Sequence, residues 1–233
     1  MKILLGSGGF GTDERRERFL AAYRAHLEGV ERVLFVPYAL DDHDGYLRFM
    51  RERYAAGIAI DGLHECADER AAVAEAQAIY VGGGNTFRLV YELYARELIE
   101  PIRAAVRGGA PYIGVSAGSN VACPTLCTTN DMPIVQPPSF ETLGLVPFQL
   151  NPHFIDGHVW VQQGDERVQH FGETRDERIA EYHERNERPV IGLFEGAWLQ
   201  CDAGEVRLEG GPARLFRKGE APRELEPPMR LEL

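Results

Sequence analysis

Through the first half of the chain, short apolar runs alternate with longer stretches whose apolar residues recur every three or four positions. Ile3-Leu4-Leu5 reads as a buried strand. Phe19, Leu20, Tyr23 and Leu27 mark one face of a helix over 13–27, with Thr12 as its N-cap. The pattern then repeats: strand 33–36, helix 44–56, strand 57–60, and helix 68–76 capped by Asp68. Ala78-Ile79-Tyr80-Val81 is a further buried strand; it ends in Gly82-Gly83-Gly84, and a helix follows to about Leu98. Another helix, 101–107, stops at Gly108-Gly109. Pro111-Tyr112-Ile113 then leads through a tight turn into a helix over 117–122. Apolar strands separated by amphipathic helices predict a mostly parallel sheet covered on both faces.

Beyond Thr125 the pattern loosens. Residues 128–133 are turn-rich, Gln136-Pro137-Pro138 is a rigid loop, and 149–154 read as a short strand with a polar end. Residues 157–171 show no clear period and predict a mobile loop or a helix with frayed ends. A helix over 173–183 starts near Glu173 or Thr174, and a strand over 190–194 ends in Glu195-Gly196. Residues 198–201 and 206–208 predict a closing hairpin turned at Asp202-Ala203-Gly204. The charged, proline-containing tail from Gly219 is expected on the surface. There is no internal repeat, and the chain is expected to form one domain over 1–233.

Composition narrows the function classes. A chain of 233 residues can bury a core without covalent staples. Its net charge of −11 argues against a phosphate-tracking surface, so no nucleic-acid partner is expected. No apolar run is long enough to cross a membrane, and the opening residues run straight into the fold with no room for a secretory signal. Cys66, Cys123, Cys127 and Cys201 lack C-x-x-C spacing, which predicts a reduced, cytoplasmic protein.

The candidate chemistry centres on Gly114-Val115-Ser116-Ala117-Gly118. Between a strand and a helix, G-x-S-x-G makes a nucleophile elbow, in which the glycines relieve crowding and the turn lifts the serine hydroxyl out of the sheet. A serine needs a base to take its proton. Of the seven histidines, His153 follows an apolar strand and Pro152, so its ring is aimed. His26, His64 and His183 lie in helical or polar contexts that predict solvation. His43 sits in a charged turn with no second histidine near it in sequence, which argues against a metal site. His158 and His170 fall in the unpatterned stretch and are expected to be exposed.

Two carboxylates fit the third role, fixing the histidine tautomer. Glu195 ends an apolar strand, expected in the same layer as Ser116. Asp131 lies in a turn between Ser116 and His153. Glu195 is favoured as the direct partner, with Asp131 as local support. The amides of Ala117 and Gly84 are the candidate oxyanion donors. A competing feature is Gly6-x-Gly8-x-x-Gly11, which spells a dinucleotide fingerprint. The next strand, however, ends in Pro37-Tyr38 rather than an acid, and Asp41 and Asp42 come late. A strand-end loop at the mouth of the sheet is the favoured reading.

Several separated blocks agree in order with one family. Val81–Phe87, Tyr112–Asn120, Ala122–Thr125, Thr128–Val135 and Asn151-Pro152-His153-Phe154 resemble the aspartyl dipeptidases, or peptidase E family. Gly172-Glu173-Thr174-Arg175 and Val190–Leu193 before Glu195-Gly196 continue the likeness.

The resemblance implies a three-layer α/β/α sandwich, class I glutamine amidotransferase-like, with serine in place of the elbow cysteine. It implies a serine dipeptidase that removes an amino-terminal aspartate from Asp-X dipeptides and needs no metal or other cofactor. Ser116 matches the family nucleophile and His153 its base, while the acid role has been given to the positions of both Glu195 and Asp131. Arg175 matches the arginine that holds the substrate's aspartyl side chain, and Asn85 and Thr86 are further substrate-binding candidates. Residues 155–171 are longer than the family pattern and the amino-terminal glycine loop differs; both bear on substrate preference rather than on the reaction. A cyanophycinase-like peptidase acting on aspartyl-arginine substrates, or a non-catalytic nucleotide-binding domain, are the alternatives. A homodimer is compatible with the sequence.

Overall fold

In the computed structural model, which describes residues 1–233, the predicted alternation of strands and helices builds the first half of the chain. β1 (Ile3–Gly6) leads to α1 (Asp13–His26), β2 (Arg32–Val36) to α2 (His43–Tyr54), and β3 (Ala59–Gly62) to α3 (Glu69–Ala74). β4 (Ile79–Val81) is followed by α4 (Thr86–Ala95) and α5 (Ile99–Arg107), and β5 (Tyr112–Val115) by α6 (Ala117–Ala122). The second half contributes β6 (Gln149–Asn151), β7 (Trp160–Gln163), β8 (Glu166–Gln169), α7 (Arg175–Arg185) and β9 (Val190–Leu193). β10 (Trp198–Asp202), β11 (Glu205–Glu209), β12 (Ala213–Phe216), β13 (Arg223–Leu225) and β14 (Met229–Leu231) complete the chain. The caps at Thr12 and Asp68 form: Thr12 accepts from the Arg15 N–H, and Asp68 from those of Arg70 and Ala71.

Strands β3, β2, β4, β5 and β1 pair in parallel, in that order. Beyond β1 the same sheet continues antiparallel through β10, β11 and β14, so the predicted hairpin at residues 198–208 extends it. Alternation along the strands sets the layers. Leu4, Val33, Phe35, Tyr80 and Ile113 pack against Phe19 and Tyr23 of α1 and Leu47 and Met50 of α2. Ile3, Leu5, Leu34, Val36, Ile79 and Val81 face the other way, onto Leu89, Ile102 and Val121 of α4, α5 and α6. Helices thus cover both faces of the sheet, an α/β/α sandwich. No helix is long and apolar enough to cross a membrane.

Three expectations are corrected. Residues 157–171 form neither an unstructured loop nor a helix: β7 and β8 pair as an antiparallel hairpin turned at Gly164. Its residues are exposed or half-buried, so no apolar face marks it in the sequence. The tail beyond Gly219 is not merely superficial. β13 pairs with β12 and β14 with β11, burying Leu225 and Leu231. Finally, β9 is not in the sheet that carries Ser116. It belongs to a second sheet, β13-β12-β9-β6, in which β6 and β9 run parallel. Glu195 therefore reaches the site from a different sheet.

The histidines also need correction. His26 and His183 are buried, not solvated; their Nε2 atoms lie 3.1 Å from the carbonyls of Tyr112 and Arg188. His43 does have a histidine near it in space, since the His64 ring is 5.5 Å away and His64 Nε2 lies 3.0 Å from Asp44.

Candidate active site

The elbow is set by close backbone packing. Ser116 occupies φ 56°, ψ −113°, between β5 and α6. This strained region persists only where the surroundings over-determine it. A side chain at Gly114 would strike the backbone of Gly118, and one at Gly118 would overlap the Val81 carbonyl of β4. The glycines thus let α6 sit directly on the strands; the clash they avoid is with backbone rather than with Ser116. The Ser116 N–H donates to the Gly6 carbonyl at 3.0 Å, tying the elbow to the end of β1.

His153 lies two residues past the end of β6 and also holds a left-handed backbone, φ 54°. Its Nε2 is 3.0 Å from Ser116 Oγ, and its Nδ1 is 2.6 Å from Glu195 Oε1. With the Nδ1 proton donated to Glu195, Nε2 is left to accept from the serine hydroxyl. This is the arrangement in which imidazole acts as a base. Glu195 follows β9 by two residues, and its turn is held where the Gly196 N–H donates to the Gly8 carbonyl at 2.8 Å.

Asp131 stands elsewhere. Its Oδ2 accepts from the Thr86 N–H at 2.7 Å, the Thr86 hydroxyl at 2.6 Å and the Thr129 hydroxyl at 3.1 Å. It makes no hydrogen bond to His153. Thr86 is fully buried and its hydroxyl donates to Asp131, so that hydroxyl is engaged within the protein. Asn85 is likewise engaged, capping α4 at the Arg88 N–H and donating to the Met132 carbonyl. Together these residues brace the start of α4, directly after the triple-glycine loop.

In that loop, Gly84 has φ 136°, and a Cβ there would lie 2.5 Å from the Ala39 carbonyl oxygen. Gly83 backs onto Ser116, whose Cβ is 3.1 Å from where a Gly83 Cβ would stand, and the Gly83 N–H donates to the Tyr46 hydroxyl at 2.8 Å. Burial pushes that hydroxyl's pKa up to about 12, so it stays neutral. The N–H groups of Gly84 and Ala117 have no acceptor within the protein.

The profile of a family described as "Peptidase family S51" matches residues 2–209. The chain belongs to peptidase family S51. It is 53% identical to "Peptidase E" of Streptomyces coelicolor, over 90% of this chain and 84% of that one. It is 46% identical to a "Probable alpha-aspartyl dipeptidase" of Drosophila melanogaster, over 85% of this chain and 81% of that one. In fold it is similar to a putative peptidase E of Listeria monocytogenes, with TM-score 0.65, 21% identity, and coverage of 90% of this chain and 98% of that one. As an S51 member it is a serine-type peptidase.

Two further parts of this S51 chain bear on the site. Arg175 opens α7, behind a capping box in which Thr174 and Glu177 bond reciprocally. Burial, with the Arg178 charge, pulls its pKa below the usual arginine value. Its Nε is buried without a partner, and it lines a cavity of about 200 Å³ with Ile155, His158, His170 and Arg178. His158 and His170, exposed as expected, thus also face a cleft. Asp176, next to Arg175, pairs with Arg214, which lies 5.4 Å over the Phe154 ring beside His153.

The other part is the amino-terminal glycine loop. A Cβ at Gly8 would come within 2.5 Å of the His153 ring, and one at Gly9 would overlap the Glu195 carboxylate. At both positions the loop backbone lies directly against these two side chains. A Cβ at Gly11 meets nothing within 4 Å, so the third glycine makes no close helix–strand approach. Sequence reasoning missed that the loop abuts the His–Glu pair. Its glycine density was the available signal, but its target depends on β1 lying between β5 and β10.

Proposed function

We propose that this peptidase removes an amino-terminal aspartate from Asp-X dipeptides through an acyl-enzyme on Ser116, with residues 1–233 acting as one catalytic unit. The observation that carries the reading is His153 bridging Ser116 and Glu195 at 3.0 and 2.6 Å. As Ser116 Oγ attacks the aspartyl carbonyl, His153 Nε2 takes its proton. Glu195 holds Nδ1–H and stabilises the imidazolium. The N–H groups of Gly84 and Ala117 receive the oxyanion, each such donor contributing about 3 kcal/mol to transition-state stabilisation. His153 then returns the proton to the leaving amine, and a water activated by the same ring releases aspartate.

Arg175 supplies specificity in this scheme. In a chain of net charge −11, an acidic substrate needs a local cation, and a guanidinium grips a carboxylate with two parallel hydrogen bonds. The name of the Drosophila relative supports the same substrate class. The four free cysteines fit a reducing compartment, the cytoplasm.

The test is leucine release from Asp-Leu beside Glu-Leu, Asn-Leu and Leu-Leu, with chelator present and Ser116→Ala as control. Cleavage of Asp-Leu that survives chelator and falls at least about 10⁴-fold in the variant is the expected result. Equal cleavage of Leu-Leu, or activity retained by Ser116→Ala, would sink the proposal.

A further inference from the structure

We infer that Ser7 is a positioning residue that holds His153 and Glu195 in register, an inference that rests on the serine peptidase reading above. Ser7 is fully buried at the end of β1 and reaches no substrate. Its hydroxyl stands between the two strands of the second sheet that deliver the pair. It accepts the His153 N–H at 2.9 Å and donates to the Leu193 carbonyl at 2.9 Å. Its own N–H donates to the Ala197 carbonyl, on the far side of Glu195, at 2.9 Å. The preceding residue, Gly6, accepts the Ser116 N–H at 3.0 Å. One dipeptide therefore bonds to the backbone at, or within two residues of, each of the three residues, which arrive from two different sheets.

The geometry explains why a hydroxyl is needed there. His153 sits at φ 54°, a conformation a non-glycine residue holds only when its surroundings enforce it. The Ser7 oxygen takes up the N–H that this turn aims inward. Relaxation of His153 towards an extended backbone would swing its Cβ, carrying Nε2 away from Ser116 and Nδ1 away from Glu195. The serine hydroxyl suits the place because it both donates and accepts, joining β6 to β9 at their carboxyl ends.

The experiment compares wild type, Ser7→Ala, Glu195→Gln and the double variant, with thermal melts to verify folding. Ser7→Cys replaces Ser7→Ala if the alanine variant does not fold. The readouts are kcat and KM for Asp-Leu and the far-downfield proton NMR signal of His153 Nδ1–H, assigned by its loss in Glu195→Gln. For Ser7→Ala we expect kcat to fall about 10- to 100-fold with KM changed less than about threefold. The downfield signal should shift upfield or vanish, because the Nδ1–H loses part of its hold on Glu195. The double variant should be slowed less than the product of the single losses, because both act through one pair.

A folded variant with kcat within twofold of wild type overturns the inference. So does a loss of kcat that leaves the NMR signal in place, or losses that multiply. If wild type cleaves no dipeptide while the downfield signal still depends on Ser7, the substrate proposal fails and the positioning role stands.

Discussion

The Glu195 carboxylate occupies the space where a side chain on Gly9 would be. Gly9 adopts φ 70°, so the loop passes beneath the acid with nothing between backbone and carboxylate. An alanine there meets both a left-handed backbone, costing about 1–2 kcal/mol, and the carboxylate itself. Gly9→Ala is expected to lower kcat for Asp-Leu about 100-fold or more by displacing Glu195. Gly11→Ala, whose Cβ meets nothing within 4 Å, should stay within twofold of wild type. Steady-state kinetics on the pair checks this; equal effects at both positions would contradict it.

Glu195 and Asp131 should separate into different kinds of defect. Glu195→Gln leaves the shape but removes the charge and adds an amide donor, so the His153 tautomer is no longer fixed, and kcat is expected to drop about 10³- to 10⁴-fold with little change in melting temperature. Asp131→Ala strips the buried Thr86 N–H of its acceptor and should cost about 1–3 kcal/mol of stability. Its kcat loss should be far smaller than that of Glu195→Gln. Measuring kcat and denaturant unfolding for both decides the matter, and the reverse ranking would give the acid role to Asp131.

His26 predicts a pH dependence of stability. Burial, reinforced by the Lys2 charge, lowers its pKa to about 4 against the ordinary 6.5, while the Tyr112 carbonyl and Asp202 pull the other way. The unfolded chain therefore takes up this proton first as pH falls. Stability from the neutral, buried ring is fully present above pH 6.5 and is lost between about 6.5 and 4, to a total of about 3 kcal/mol. His26→Gln can still donate to the Tyr112 carbonyl but does not titrate. Unfolding free energies at several pH values should show the wild type losing more across that window than the variant. Parallel curves would refute the assignment.

The last two strands are expected to be structural. A chain ending at Lys218 lacks β13 and β14, exposes the edges of β11 and β12, and removes Leu225 and Leu231 from the core. It should melt well below the full chain or aggregate. Leu231→Ala alone should cost about 2–5 kcal/mol. A truncated protein melting with the full chain would show that the tail is dispensable.

Local order along the chain determined much of this protein. The strands and helices up to Ala122 announce themselves because each apolar run packs against two layers and is punctuated by glycine, proline or a capping side chain. Ser116 is legible for the same reason: strand, turn and helix all fall within a few residues, and Gly114 answers to packing inside that unit, although Gly118 answers to the Val81 carbonyl of β4. His153 and Glu195 could be read as aimed side chains at strand ends.

Only the tertiary structure decided how these pieces meet. Whether Glu195 or Asp131 faces His153 depends on β6 pairing with β9, strands about forty residues apart whose own sequences do not name their neighbour. The service of Ser7, Gly8 and Gly9 to the His–Glu pair depends on β1 lying between β5 and β10. The β7–β8 hairpin has no buried face to leave a period, and β13 and β14 each carry only one buried apolar residue. Periodicity reports how one element is buried. Contacts between elements far apart in sequence are selected by the packing of the whole chain, and the geometry around Ser116 is made of such contacts.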